Sequence, residues 1–121
     1  MKLFDSERKV MEILWREGSI SAVEIARLLS VSAGWNRNTT YTVIKKCIDK
    51  NYIKREDPGY ICSALIAQKT VQREELAELL DKSFDGSVTK LFTALLNVKQ
   101  ISQFDVKKMK KALTKLRLLF L

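Results

Sequence analysis

Histidine is absent from the 121 residues, which hold only two cysteines, one proline and four glycines. Without histidine, acid–base catalysis near neutral pH loses its usual side chain, and most zinc sites lose a ligand. The acids are scattered, and no glycine-rich phosphate loop occurs. The chain is therefore not expected to be an enzyme, nor to hold a cofactor or metal. Cys47 and Cys62 are too few for a disulfide framework. Both stand in apolar patterns and read as reduced core residues, with a redox switch as the alternative. No run approaches the ~18 apolar residues that span a bilayer. The start, Met1-Lys2-Leu3-Phe4-Asp5, meets charge where a signal peptide would be apolar. No membrane insertion is expected, and the cytoplasm is the expected location.

What the sequence has is positive charge. Lys+Arg number 22 against Asp+Glu 14, a formal net charge of +8. Such an excess favours a polyanionic partner, because neutralising phosphates releases condensed counterions. Hydrophobic residues make up 46%, enough for one modest core plus an appendage.

Hydrophobic spacing divides the chain into elements. Asp5 or Ser6 can cap a first helix, in which Val10, Met11, Leu14 and Trp15 recur at helical spacing before Gly18. Ser21-Ala22-Val23-Glu24 forms a capping box for a second helix, with Ala22, Ile25, Ala26, Leu28 and Leu29 inward. Ser30 to Gly34 reads as a loop. A third helix opens near Asn36 to Asn38 and runs to about Lys50, with Thr40, Val43, Ile44, Cys47 and Ile48 inward. Its other face carries Asn38, Thr39, Tyr41, Thr42, Lys45 and Lys46, the kinds of group that read base edges and hold phosphates. Tyr52 to Glu56 and Gly59 to Leu65 are β-rich, joined by the turn signal Asp57-Pro58-Gly59.

Three helices followed by a β-hairpin within 66 residues is the winged helix-turn-helix plan. One helix fits a major groove about 12 Å wide, and the wing lies along the flanking backbone. From Arg37 to Arg55 there are six basic residues (Arg37, Lys45, Lys46, Lys50, Lys54, Arg55) around one acid, Asp49. The candidate DNA-binding residues are Arg37, Asn38, Thr39, Tyr41, Thr42, Lys45, Lys46, Lys54 and Arg55. Several carry plainer alternatives: Lys45 and Lys46 as solvated surface, Thr39 as a cap, and Tyr41 packed on Lys45. Trp35 reads as a core plug.

Residues 67–121 are expected to be a helical dimerisation domain beside a DNA-binding domain of residues 1–66. Ser87 and Ser102 are plausible caps. Val88, Leu91, Phe92, Leu95 and Leu96 form one apolar stripe; Val106, Met109, Leu113 and Leu116 follow in the last helix. That is more apolar surface than two short helices bury against each other. A homodimer is expected, and a folded-back monomer is the alternative. The fold class is thus mainly α with a small antiparallel β wing: a winged helix-turn-helix plus a C-terminal helical dimerisation arm.

The stretch Trp35 to Cys47 resembles the recognition-helix motif of the penicillinase repressor family (BlaI/MecI/CopY), in which a Trp and a short polar stretch precede a Thr-rich helix. Glu12-Ile13-Leu14-Trp15, Leu79 to Ser87 and Ile101-Ser102 extend the likeness over nearly the whole chain. The resemblance implies a homodimeric repressor on a palindromic double-stranded DNA operator, regulating antibiotic-resistance or related genes. It also implies a sensor protease as partner in the resistance-linked members, whose Asn-Phe cleavage bond aligns with Ala94-Leu95 here, a departure. The C-terminal cysteine cluster of the copper-responsive branch is missing. A second departure is Lys107 to Arg117, with six basic residues and no acid. It reads either as a solvated outer face or as added attraction for DNA or an acidic partner. The competing functional class is a winged-helix protein-interaction module without specific DNA binding.

Overall fold

The computed structural model describes residues 2–98 and 100–120; Met1, Lys99 and Leu121 lie outside the described residues. The element order is α1 (Asp5–Glu17), β1 (Ile20–Ser21), α2 (Ala22–Ala33), α3 (Arg37–Asp49), β2 (Ile53–Glu56), β3 (Ile61–Ala64), α4 (Gln68–Ser83), α5 (Val88–Val98) and α6 (Gln103–Leu119). This is the mainly helical fold with an antiparallel wing that the periodicity predicts.

The chain falls into two compact units, Met1–Leu76 and Ala77–Leu121, and α4 runs across the division. The expected boundary at 66/67 precedes α4. In the first unit α1, α2 and α3 enclose a core of Val10, Met11, Leu14, Ile25, Ile44 and their neighbours. Each fully buried side chain of this size contributes roughly 1.5–3 kcal/mol relative to exposure. Val71 of α4 is also buried, and Trp15 Nε1 donates to the Ile66 carbonyl at 2.9 Å. That bond satisfies the one polar atom of a half-buried indole.

Three local expectations need correction. Neither Asp5 nor Ser6 caps α1: the cap position is Phe4, whose N–H donates to Glu7 Oε1 at 2.9 Å. The second helix does not stop near Ser30 but continues to Ala33. Ser30 and Ser32 carry no helix-breaking geometry, and Gly34 alone takes the left-handed conformation (φ 68°) that ends it. Its entry is half as expected. Ser21 Oγ accepts from the Glu24 N–H at 3.2 Å, but the Glu24 carboxylate turns to Arg27 instead of returning to Ser21.

The sheet has three strands in the order β1-β3-β2, both pairs antiparallel. Ile20 pairs with Cys62 and Ser21 with Ile61, while Ile53 pairs with Ala64 and Arg55 with Cys62. The two-residue β1 was not foreseen, because two residues carry no alternation and Ser21 doubles as the helix cap. It fixes the turn-proximal end of the hairpin, at Ile61 and Cys62, to the segment between α1 and α2. The link is reinforced where the Ala22 N–H donates to the Tyr60 carbonyl at 2.9 Å.

One buried charge joins the two ends of this unit. Glu7 is 1% exposed, and its carboxylate oxygens lie 3.0 and 2.7 Å from Lys50 Nζ, at the C-cap of α3. Lys50 Nζ also sits 4.3 Å from the centroid of the Phe4 ring. Removing one partner of a buried pair leaves the other unpaired, which costs more than the pair gains. Lys50→Ala, which strands the buried Glu7 carboxylate, is therefore expected to destabilise the fold by about 3 kcal/mol. Urea denaturation followed by circular dichroism checks this; an unchanged midpoint would contradict the role assigned to Glu7.

In the second unit the expected caps are present. Ser87 Oγ accepts from the Lys90 N–H and Ser102 Oγ from the Asp105 N–H, each at 3.1 Å. Among the described residues, none of α5 or α6 is buried within the single chain.

Candidate nucleic-acid interface

Helix α3 is set in rotation by its inner face. Thr40, Val43, Ile44 and Cys47 are buried, at the i, i+3, i+4, i+7 positions that share one side of a helix. The opposite side must then face outward. Its start is fixed by Asn36, whose Oδ1 accepts from the Thr39 N–H at 2.8 Å. Thr39 is therefore not the cap, and its exposed side chain is free of that duty.

On the outward side Arg37, Asn38, Thr39, Thr42, Lys45 and Lys46 are exposed. Among the described residues no carboxylate lies within ion-pair distance of Lys45 or Lys46. Thr42 Oγ1 donates to the Asn38 carbonyl at 2.9 Å. Its hydroxyl proton is thus engaged, which leaves an acceptor lone pair and a methyl group for outside contact.

Tyr41 does not stand free. Its half-buried ring lies 5.8 Å from that of Tyr60, tilted by 36°. The Arg37 guanidinium sits 5.4 Å from the Tyr41 ring, and its Nη2 donates to the Tyr41 hydroxyl at 3.2 Å. On the far side Arg55 lies 3.6 Å from the Tyr60 ring centroid. Arg37, Tyr41, Tyr60 and Arg55 thus form a continuous stack from the recognition helix to the wing. Stacked cations and rings are each worth roughly 0.5–1.5 kcal/mol. Burial raises the Tyr60 hydroxyl pKa above its ordinary value. Sequence reasoning missed Tyr60. Its one signal was an aromatic next to the wing turn, with nothing in the spacing to tie it to α3.

The two wing cations are also less available than their sequence suggests. Lys54 Nζ lies 3.4 Å from Glu56 Oε1, and Arg55 Nε lies 3.1 Å from Asp57 Oδ2. The bond to Asp57 raises the Arg55 pKa. Such exposed pairs are weak, so a phosphate can displace the carboxylates. Trp35 packs half-buried against the core, as expected. It floors a depression of about 280 Å³ between α2 and α3, flanked by Arg27, Asn36 and Arg37. The candidate dimer residues fall elsewhere, on α5 and α6. Val88, Phe92, Leu95, Leu96, Val106, Leu113 and Leu116 are exposed, while Leu91 and Met109 are half-buried.

Both cysteines are buried and unpaired. Burial pushes the Cys47 thiol up to about 12 and the Cys62 thiol up to about 11. The thiolate is the reactive form, so neither should react with a disulfide reagent at pH 8 until denaturant unfolds the chain. Rapid labelling of the native protein would contradict this. The folded chain holds these protons more tightly than the unfolded one. Stability should therefore fall as pH rises past the ordinary thiol value of about 8.5.

Comparison with known proteins follows the same outline. The chain is 21% identical over 107 residues to a penicillinase repressor of Bacillus licheniformis, covering 87% of this chain and 84% of that protein. It is 21% identical over 116 residues to the methicillin resistance regulatory protein MecI of Staphylococcus aureus, covering 94% of each. The solution structure of the DNA binding domain of the repressor BlaI superposes with a TM-score of 0.51 at 25% identity. That match covers 55% of this chain and 84% of that one. The penicillinase repressor family model matches residues 3–115, and the chain belongs to that family.

Proposed function

We propose that the chain is a transcriptional repressor that binds a palindromic DNA operator as a homodimer. The observation that carries the reading is the outward face of α3, where Asn38, Thr39, Thr42, Lys45 and Lys46 are exposed on a helix held by a buried opposite side. Hydroxyl and amide groups supply base-edge contacts, and the two lysines supply phosphate contacts. Arg37 and Tyr41 brace the helix against the wing, and Lys54 and Arg55 meet the flanking backbone. The names of the relatives, a penicillinase repressor and a methicillin resistance regulatory protein, support regulation of antibiotic-resistance or related genes. The absence of any helix long and apolar enough to cross a membrane, among the described residues, fits a DNA-binding protein of the cytoplasm.

The homodimer rests on the second unit. Phe92, Leu96, Ile101, Val106, Met109 and Leu113 line an apolar groove of about 480 Å³ between α5 and α6. A monomer rarely exposes a contiguous apolar surface of that kind, and a second copy of the same two helices covers it. Two reading heads on one molecule then match the two halves of a palindrome. A sensor protease is the remaining partner that the resemblance implies, but the Asn-Phe bond of the resistance-linked members is Ala94-Leu95 here, inside helical α5, which argues against cleavage at that bond.

Duplex binding is expected to weaken by orders of magnitude between ~50 and ~200 mM salt. Lys46→Ala should weaken all duplexes alike, whereas Thr42→Ala should change the preference among sequences. Fluorescence anisotropy on duplexes enriched from a random pool measures all three. A flat salt response would favour the protein-interaction module instead. Leu95→Asp should release monomers, read as half the mass in light scattering; an unchanged mass would remove the dimer.

A further inference from the structure

Most of the excess positive charge lies outside the unit that carries α3. Met1–Leu76 holds 13 basic and 10 acidic residues, a net of +3, while Ala77–Leu121 holds 9 and 4, a net of +5. The concentration is on α6. Lys107, Lys108, Lys110, Lys111, Lys115 and Arg117 are all exposed, and the helix's one acid, Asp105, sits in its first turn. Among the described residues none of the six cations has a carboxylate within ion-pair distance.

Their placement is regular. Lys107, Lys111 and Lys115 share one row of the helix at i, i+4 and i+8, spaced by roughly 6 Å of rise. Lys108 stands beside the row, its Nζ 4.6 Å from the Phe104 ring centroid. Val106, Met109, Leu113 and Leu116 lie on the opposite side, and the first three line the apolar groove. Lys110 joins them in lining that groove, so the row Lys107, Lys111 and Lys115, rather than all six cations, is separate from the face that a second copy is proposed to cover.

We propose that this face of α6 is a second contact for the phosphate backbone of duplex DNA, independent of base sequence. The inference rests on the DNA-binding reading above and adds a surface to it. Duplex DNA carries a charge every ~1.7 Å of its axis. Lysines suit such an array because each acts as a compact point charge on a flexible stem. A bilayer fits less well: an amphipathic helix holds to lipid through its apolar side, and here that side faces the groove.

The test uses the full chain carrying Lys107→Gln, Lys108→Gln, Lys111→Gln and Lys115→Gln together, since glutamine keeps helix propensity while removing charge. Circular dichroism and light scattering should show helicity and mass unchanged. Affinity is then measured against salt for a palindromic duplex enriched by the wild-type chain and for a mixed-sequence duplex of equal length. The slope of log affinity against log salt should flatten by roughly two to four for both duplexes, with their affinity ratio kept. An unchanged slope in the quadruple variant, beside steep and selective wild-type binding, overturns the α6 contact and leaves the repressor reading intact. Failure of the wild type to bind any duplex removes that reading itself. A parallel sedimentation with phosphatidylserine vesicles identifies the other outcome. Lipid binding lost in the variant, with the duplex slope unmoved, assigns the face to membranes and overturns the proposal.

Discussion

A helix that must bury one side has no freedom over what its other side shows. In α3 the burial of Thr40, Val43, Ile44 and Cys47 against α1 and α2 sets the rotation of thirteen residues at once. A turn of 100° would place Lys45 or Tyr41 in the core, at a desolvation cost that the small first unit could not offset. The exposed set Asn38, Thr39, Thr42, Lys45 and Lys46 is thus a consequence of packing before it is a property of function. Asn36 fixes where the helix begins, and the Glu7–Lys50 pair fixes where it ends. Between these two clamps the reading surface is rigid, as base recognition through short hydrogen bonds demands.

The wing depends on the same constraint at one remove. Tyr41 occupies the margin between the inward and outward faces, and from there it meets Tyr60 across the hairpin. Arg37 and Arg55 close the stack at its two ends. Any contact that displaces Arg55 from Asp57 toward a phosphate acts on a residue already in register with α3. Helix and wing are therefore mechanically coupled, and a duplex met by one bears on the other. Tyr41 serves this coupling more directly than it serves base contact.

Periodicity made the helices legible because their buried faces repeat over three or four turns: Val10, Met11 and Leu14 in α1, Ile25 and Leu29 in α2, Val43, Ile44 and Cys47 in α3. Caps at Ser21, Ser87 and Ser102 were legible because each is a local chemical event within four residues. Pairings between distant segments were not. Glu7 looks like an ordinary acid in the first turn of an amphipathic helix, and only the approach of Lys50, 43 positions on, buries it. Tyr60 and Tyr41 lie 19 positions apart and share no pattern. The two residues of β1 show their strand character only through β3. The end of α2 was misread because serine lowers helix propensity by too little to outweigh continued packing through Ala33.

Charge divides differently from structure. The first unit holds the candidate base-reading groups but a net charge of only +3, and its wing cations face Glu56 and Asp57. Phosphate attraction falls off over a Debye length of about 8 Å at physiological salt, so weakly charged reading heads gain little capture at a distance. On the proposal above, the row Lys107, Lys111 and Lys115 supplies that attraction from outside the candidate reading face. On the reading proposed above, the hydroxyl and amide groups of α3 select the sequence, while Lys45, Lys46 and the lysines of α6 add attraction to any sequence. Such a division lets the α6 charge change without altering which site is chosen. An acid placed among Lys45 and Lys46 would instead repel phosphates at the candidate reading face itself.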